Sequence, residues 1–141
     1  MGVPNIVIDT NVLIAALRSN RGASFRLLSL VGTEKFLTHL SVALVLEYED
    51  VIQRQRVELG LSIDEVSDLI DSLCASARLQ EIYYLWRPTL LDANDEMILE
   101  LAVSAQCDYI VTHNTADFTG IDQFGIQVMT PVKLLRVIGE A

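Results

Sequence analysis

The sequence predicts an α/β fold: a central parallel β-sheet with helices on both faces. Three observations carry this expectation. Short apolar runs alternate with longer amphipathic segments along the whole chain, the pattern of parallel strands joined by helical crossovers. The runs are short and continuously apolar, as strands buried on both faces require. No linker, internal repeat or low-complexity stretch interrupts the 141 residues, so one domain spanning residues 1–141 is expected.

Residues 5–9 (NIVID) form the first apolar run and end in an acid. Residues 10–19 read as a helix with Leu13, Ala16 and Leu17 on one face, followed by a shorter helix over 23–31 and a strand at about 35–39. A long helix is expected from Ser41 to about Glu58, with Gly60 ending it. The next helix opens on Ser62-Ile63-Asp64-Glu65, a capping box, and carries the stripe Ile63, Val66, Ile70, Leu73 and Ala77. Asp64, Glu65, Asp68 and Asp71 fall off that stripe and read as a solvated face. A strand over 80–84, a helix over 95–106 and strands over 108–112 and 126–129 follow. Thr130-Pro131 is an N-cap and N1 pair that opens a C-terminal helix.

Composition narrows the function. With 51% hydrophobic residues the chain is globular rather than disordered. No apolar run reaches the ~20 residues of a membrane span, and the first residues lack a basic leader, so a cytoplasmic location is expected. Cys74, Cys107, His39 and His113 have no zinc spacing and read as two reduced cysteines and two unrelated histidines. The formal net charge of −9 runs against a general nucleic-acid binder unless some of the acids hold a cation, which reverses the local field. An acidic surface also suits a basic protein partner.

In parallel sheets ligands bind outside the carboxyl ends of the strands, which directs attention to the acids there. Asp9 ends the first strand, where it serves either as a helix cap or as a ligand. Asp95, in Asp92-Ala93-Asn94-Asp95-Glu96, stands at a helix start, where the helix dipole favours acids in any case. Glu47 lies within the stripe Leu44, Tyr48 and Val51, while Glu49, Asp50 and Gln53 lie off it, so Glu47 is expected to face inward and to need a partner. Asp117 follows the 108–112 strand in a loop that also holds Asn114. Two carboxylates ~5 Å apart repel by about 3 kcal/mol at an effective dielectric of 20, and a cation between them removes that cost. Oxygen-only donors favour Mg²⁺ or Mn²⁺ over zinc, and phosphodiester hydrolysis is the chemistry such a site serves.

The stretches IVIDTNVLIAAL (6–17), LEYEDVI (46–52), DANDEMILELA (92–102) and CDYIVTHNTADF (107–118) together resemble the PIN-domain nucleases, in particular the VapC-like toxins and the related toxin–antitoxin branch. The resemblance implies a three-layer α/β/α sandwich, a metal-dependent endoribonuclease that is the toxin of a toxin–antitoxin pair, an antitoxin protein as partner, and a homodimer. Carried over by motif, Asp9, Glu47 and Asp95 match the first three acids of the family. Thr10 and Asn11 match the small polar residues that orient Asp9 and a water on the metal. Where many members have an aspartate soon after the strand, this chain has His113-Asn114. Either Asp117 supplies that carboxylate or Asn114 fills the place with a neutral oxygen, and Asp92 is a further supporting acid. RNA is expected to enter over Arg18, Arg21, Arg26, Arg54 or Arg87, since phosphate contacts need cations and the chain has only ten Lys and Arg.

Two other readings compete. A catalytically degenerate PIN module would bind RNA or a protein partner without cleaving, in keeping with Asn114 and the acidic surface. A haloacid-dehalogenase-type phosphatase also ends its first strand in Asp, but that chemistry wants a second Asp where this chain has Asn11.

Overall fold

A computed structural model describes residues 2–82, 90 and 92–141 of the chain. Among these, strands β1 (Asn5–Ile8), β2 (Leu37–Leu40), β3 (Arg78–Leu79), β4 (Tyr109–Val111) and β5 (Gln127–Met129) form one sheet in the order β3-β2-β1-β4-β5. All four pairings are parallel. The helices are α1 (Thr10–Arg18), α2 (Ala23–Ser29), α3 (Val42–Arg54), α4 (Arg56–Leu59), α5 (Ile63–Ser76), α6 (Ala93–Ser104) and α7 (Pro131–Val137).

The chain steps outward from β1 through β2 to β3, then returns to the other side of β1 for β4 and β5. Right-handed crossovers taken in opposite directions put the helices α1–α2 and α6 on opposite faces of the sheet. Burial agrees: the consecutive residues Ile6, Val7 and Ile8 are all buried, as are Ile110 and Val111, which a sheet covered on one face alone could not achieve. Helix α6 packs over β1, β2 and β4, while α1 and α7 both pack on α2. This is the expected α/β/α sandwich. Among the described residues no helix is long and apolar enough to cross a membrane.

Most elements begin and end where local chemistry dictates. Ser41 caps α3 by accepting from the Leu44 amide at 3.1 Å, Ser62 and Glu65 form the capping box of α5, and Thr130 caps α7 ahead of Pro131. The C-terminus is tied to α2, with Glu140 receiving Arg26 at 2.6 Å and Lys35 at 3.3 Å.

Four expectations need correction. The helix expected over 41–58 breaks at Gln55 into α3 and the single turn α4, and Gly60 at φ +72° closes that turn in the left-handed region open to glycine. The deeply buried residues of α3 are Leu44, Tyr48 and Ile52, spaced by whole turns, whereas Val51 is half-buried at the margin. Ile63, in the first turn of α5, is 61% exposed, so the buried stripe starts one turn later at Val66. The strand expected at 80–84 lies earlier, at Arg78–Leu79, where the register with His39 and Leu40 ends the ladder; residues 83 and 84 lie outside the described residues. The acids Asp64, Glu65, Asp68 and Asp71 are exposed, as expected.

Candidate active site

The sheet order reverses between β1 and β4, and the crevice outside the carboxyl ends of these two strands is where a parallel sheet leaves room for a ligand. Both sides of the crevice are fixed by ladder bonds that run one residue past the strands. The Asp9 amide donates to the Val111 carbonyl at 2.9 Å, and the Thr112 amide to Met129 at 3.0 Å.

Asp9 stands at the N-cap position of α1 but makes no side-chain capping bond. Its Oδ2 instead accepts the Thr112 hydroxyl at 2.8 Å and the Asn11 amide nitrogen at 3.3 Å. Asn11 also donates to Thr112 Oγ1 at 3.2 Å, and its own oxygen accepts from the His113 amide at 3.2 Å. Asn114 joins through its backbone, donating to Thr112 Oγ1 at 3.1 Å. A polar lattice thus holds a carboxylate that is only 8% exposed. Burial pushes the Asp9 carboxyl above its usual range; the Thr112 hydrogen bond opposes this, and the charges of Asp117 and Asp92 reinforce it.

On the facing helix, Asp92 is the N-cap of α6, accepting from the amides of Asn94 at 2.7 Å and Asp95 at 3.3 Å. Asp95 follows in the first turn, half-buried. Its carboxyl is pushed up to about 6, first by burial and then by the charges of Asp92, Asp9 and Asp117. Asp117, exposed in the 3₁₀ turn Thr115–Phe118, therefore lies within electrostatic reach of both Asp9 and Asp95. Of the two candidates after β4, Asp117 contributes charge to the cluster and Asn114 a backbone amide.

Glu47 is half-buried on α3 and lines a groove that adjoins the cluster. That groove runs between α1 and α3 and is shared with Thr10, Asn11, Ile14, Arg18 and Gln55. Among the five arginines expected to meet RNA, Arg18 lines this groove, with Nη2 donating to Gln55 Oε1 at 2.6 Å. Arg26 is paired with Glu140 and Arg54 with Asp50, Arg21 is exposed beyond the end of α1, and Arg87 lies outside the described residues.

Three residues of the site carried no recognisable signal in the sequence. Thr112 is fully buried, and its hydroxyl is the hub of the lattice around Asp9. Tyr48 reaches from α3 to donate its hydroxyl to the Ile8 carbonyl, bracing the strand end that presents Asp9; burial pushes its phenol far up, keeping it a neutral donor. Ser24, buried on α2, is hydrogen-bonded to His113 Nε2 at 2.7 Å. The rule that a buried hydroxyl must find a partner was the one available clue to Thr112 and Tyr48.

The donor set suits a hard cation: carboxylate oxygens, no thiolate, no imidazole among the acids, and mutual repulsion that a positive ion relieves. Among the described residues no three His, Cys, Asp or Glu side chains lie close enough together to share one ion. A Mg²⁺-like ion keeps several of its waters and needs only one or two carboxylates, so this looser arrangement fits it. His39 is spent elsewhere, bonded to Asn5 at 2.9 Å and Gln80 at 3.3 Å, and Cys74 and Cys107 are free thiols.

Comparison with known proteins places the chain in a family and a fold. Residues 5–116 match the family model described as PIN domain. No curated protein matches the sequence. Among solved structures, the chain is similar to a chain in the crystal structure of VapBC2 from Rickettsia felis bound to a DNA fragment from their promoter. The two share 12% identity at a TM-score of 0.62, covering 89% of this chain and 98% of the other. At that identity the likeness speaks for the fold.

Proposed function

The chain belongs to the PIN domain family, a family of nucleases, and from that premise we propose that it is a Mg²⁺- or Mn²⁺-dependent endoribonuclease, the toxin of a toxin–antitoxin pair. The observation that carries the reading is the crowding of acids at the β1–β4 crevice: beyond the effect of burial, Asp117 and Asp92 raise Asp9, and Asp92, Asp9 and Asp117 raise Asp95. Carboxylates that raise one another gain most from a shared cation.

Asp9, Glu47, Asp95 and Asp117 would hold the ion, directly or through its waters. When bound, it supplies Lewis acidity for water and neutralises charge on the phosphate. The chain's own residues do the rest. Thr112 and Asn11 hold Asp9 in one orientation, Asp92 fixes the first turn that presents Asp95, and Tyr48 braces the end of β1. The VapBC2 likeness supports an antitoxin partner; a homodimer, as the resemblance implies, and a cytoplasmic location belong to the same proposal.

A second reading is favoured by one specific observation, that no three acids converge among the described residues. A PIN module of that kind would bind RNA or a protein partner without cutting. Incubation of a long single-stranded RNA with the purified chain in Mn²⁺, with EDTA as control, separates the two. Internal cleavage supports the nuclease, and RNA binding without any cleavage supports the module.

A further inference from the structure

We infer that the groove between α1 and α3 is the track for the single-stranded RNA that flanks the scissile phosphate, with Arg18, held in place by Gln55, as the cation that grips it. The inference rests on the nuclease reading above and adds where the strand lies and what holds it.

The groove begins at the carboxylate cluster. Thr10 and Asn11 form its head, and Asn11 is hydrogen-bonded to Asp9 Oδ2. From Thr10 to Arg18 is eight residues of helix, a rise of about 12 Å, longer than one nucleotide step. Ile14 and Val51 line the groove between its ends, an apolar surface for the face of a base.

Arg18 closes the far end, and its electrostatic position differs from that of Arg26 and Arg54. Those two are neutralised by Glu140 and Asp50 at 2.6 and 2.8 Å. Arg18 forms no ion pair among the described residues; its partner is the neutral amide of Gln55, which orients the guanidinium and leaves its charge intact. In a chain of net charge −9, an oriented cation that makes no ion pair, across the groove from Glu47 at the cluster end, is suited to a phosphate, which a guanidinium can grip with two parallel hydrogen bonds. Gln55 is a positioning residue. It caps the end of α3 on the face that Glu47 and Val51 also present to α1.

The test uses the full-length chain and a short single-stranded RNA. Kd is measured across a salt series in EDTA, and kcat and KM in Mn²⁺, for the parent, Arg18→Gln, Gln55→Leu and the distant control Arg136→Gln. Arg18→Gln is expected to raise Kd and KM about tenfold while leaving kcat unchanged, the signature of lost uniform binding. It also lowers the salt slope by about 0.7, one phosphate contact on a single strand. Gln55→Leu raises KM by a smaller factor, keeps the parent's salt slope and leaves kcat alone, and Arg136→Gln matches the parent. Parent-like Kd, KM and salt slope in a folded Arg18→Gln protein overturn this inference while the nuclease reading stands. A parent that neither binds nor cuts RNA overturns both.

Discussion

The Thr112 hydroxyl donates to Asp9 Oδ2 at 2.8 Å across the gap between the ends of β1 and β4. This bond decides what Asp9 does. A strand-end aspartate ahead of a helix ordinarily caps it, but here the carboxylate makes no capping bond and is held chiefly by the Thr112 hydroxyl. Because Thr112 Oγ1 also accepts from Asn11 and Asn114, the hydroxyl is saturated and its proton is committed to Asp9.

Replacing Thr112 by Val keeps the shape and removes the hub. The half-buried Asn11 amide keeps only Asp9 as its acceptor, the exposed Asn114 amide turns to water, and Asp9 loses its strongest hydrogen bond, so the fold is expected to lose roughly 1 kcal/mol in urea melts. Thr112→Ser restores most of it. In the cleavage assay the Val variant loses activity and the Ser variant retains it. Equal stability and activity in all three proteins would show that the lattice does not position Asp9.

Asp95→Asn is expected to abolish cleavage, on the order of a thousand-fold, while Asp117→Asn, on an exposed turn, does less damage. Single-turnover rates in Mn²⁺ measure both. A larger loss for Asp117→Asn reverses their assigned importance.

The pH dependence of the metal-free fold has a definite sign. A carboxyl raised to about 6 in the folded chain keeps its proton where the unfolded chain, near 3.8, has lost it. Asp95 therefore costs the fold nothing below pH 3.8 and progressively destabilises it as the pH climbs from there through about 6. Melts in EDTA should show Asp95→Asn more stable than the parent at pH 7, by about 1 kcal/mol after solvent screening, with the gap closing by pH 4. A gap that widens towards acid contradicts the assignment.

Millimolar Mn²⁺ is expected to raise the melting temperature of the parent at pH 7.5 and to do so less at pH 5, where Asp95 holds a proton the ion must displace. Scanning calorimetry with and without metal checks this. A folded parent whose melting temperature ignores Mn²⁺ at both pH values has no such site.

The proposed homodimer needs an apolar face, and the structure exposes Val42 and Leu46 one turn apart on α3, at 72% and 60%. Light scattering should give about twice the 15.7 kDa chain mass at micromolar concentration. A particle of one chain mass sets the dimer aside.

The fold was legible because its signals are local. Unbroken apolar runs at 5–9 and 108–112 marked the central strands, and Ser62, Thr130 and Gly60 marked helix ends by chemistry that tertiary structure did not override. What escaped depended on contacts distant in sequence. The break at Gln55 leaves no Pro or Gly in the sequence, and β3 spans only two residues. In the site, the acids stood out because charge at a strand or helix end invites explanation. Thr112 and Tyr48 did not, since a hydroxyl in an apolar run reads as packing until its partner 103 or 40 residues away is known. Glu47 was expected to face inward; it is half-buried and lines the groove beside the cluster together with Thr10 and Asn11.

The central claim, that these carboxylates hold a cation to cut RNA, is tested most directly by one comparison. A long single-stranded RNA is incubated with the parent and with Asp95→Asn in Mn²⁺, and with the parent in EDTA, after circular dichroism has shown both proteins folded. The account predicts internal cleavage by the parent in Mn²⁺ alone, and none in EDTA or by Asp95→Asn. Undiminished cleavage by folded Asp95→Asn, or cleavage by the parent that persists in EDTA, contradicts it.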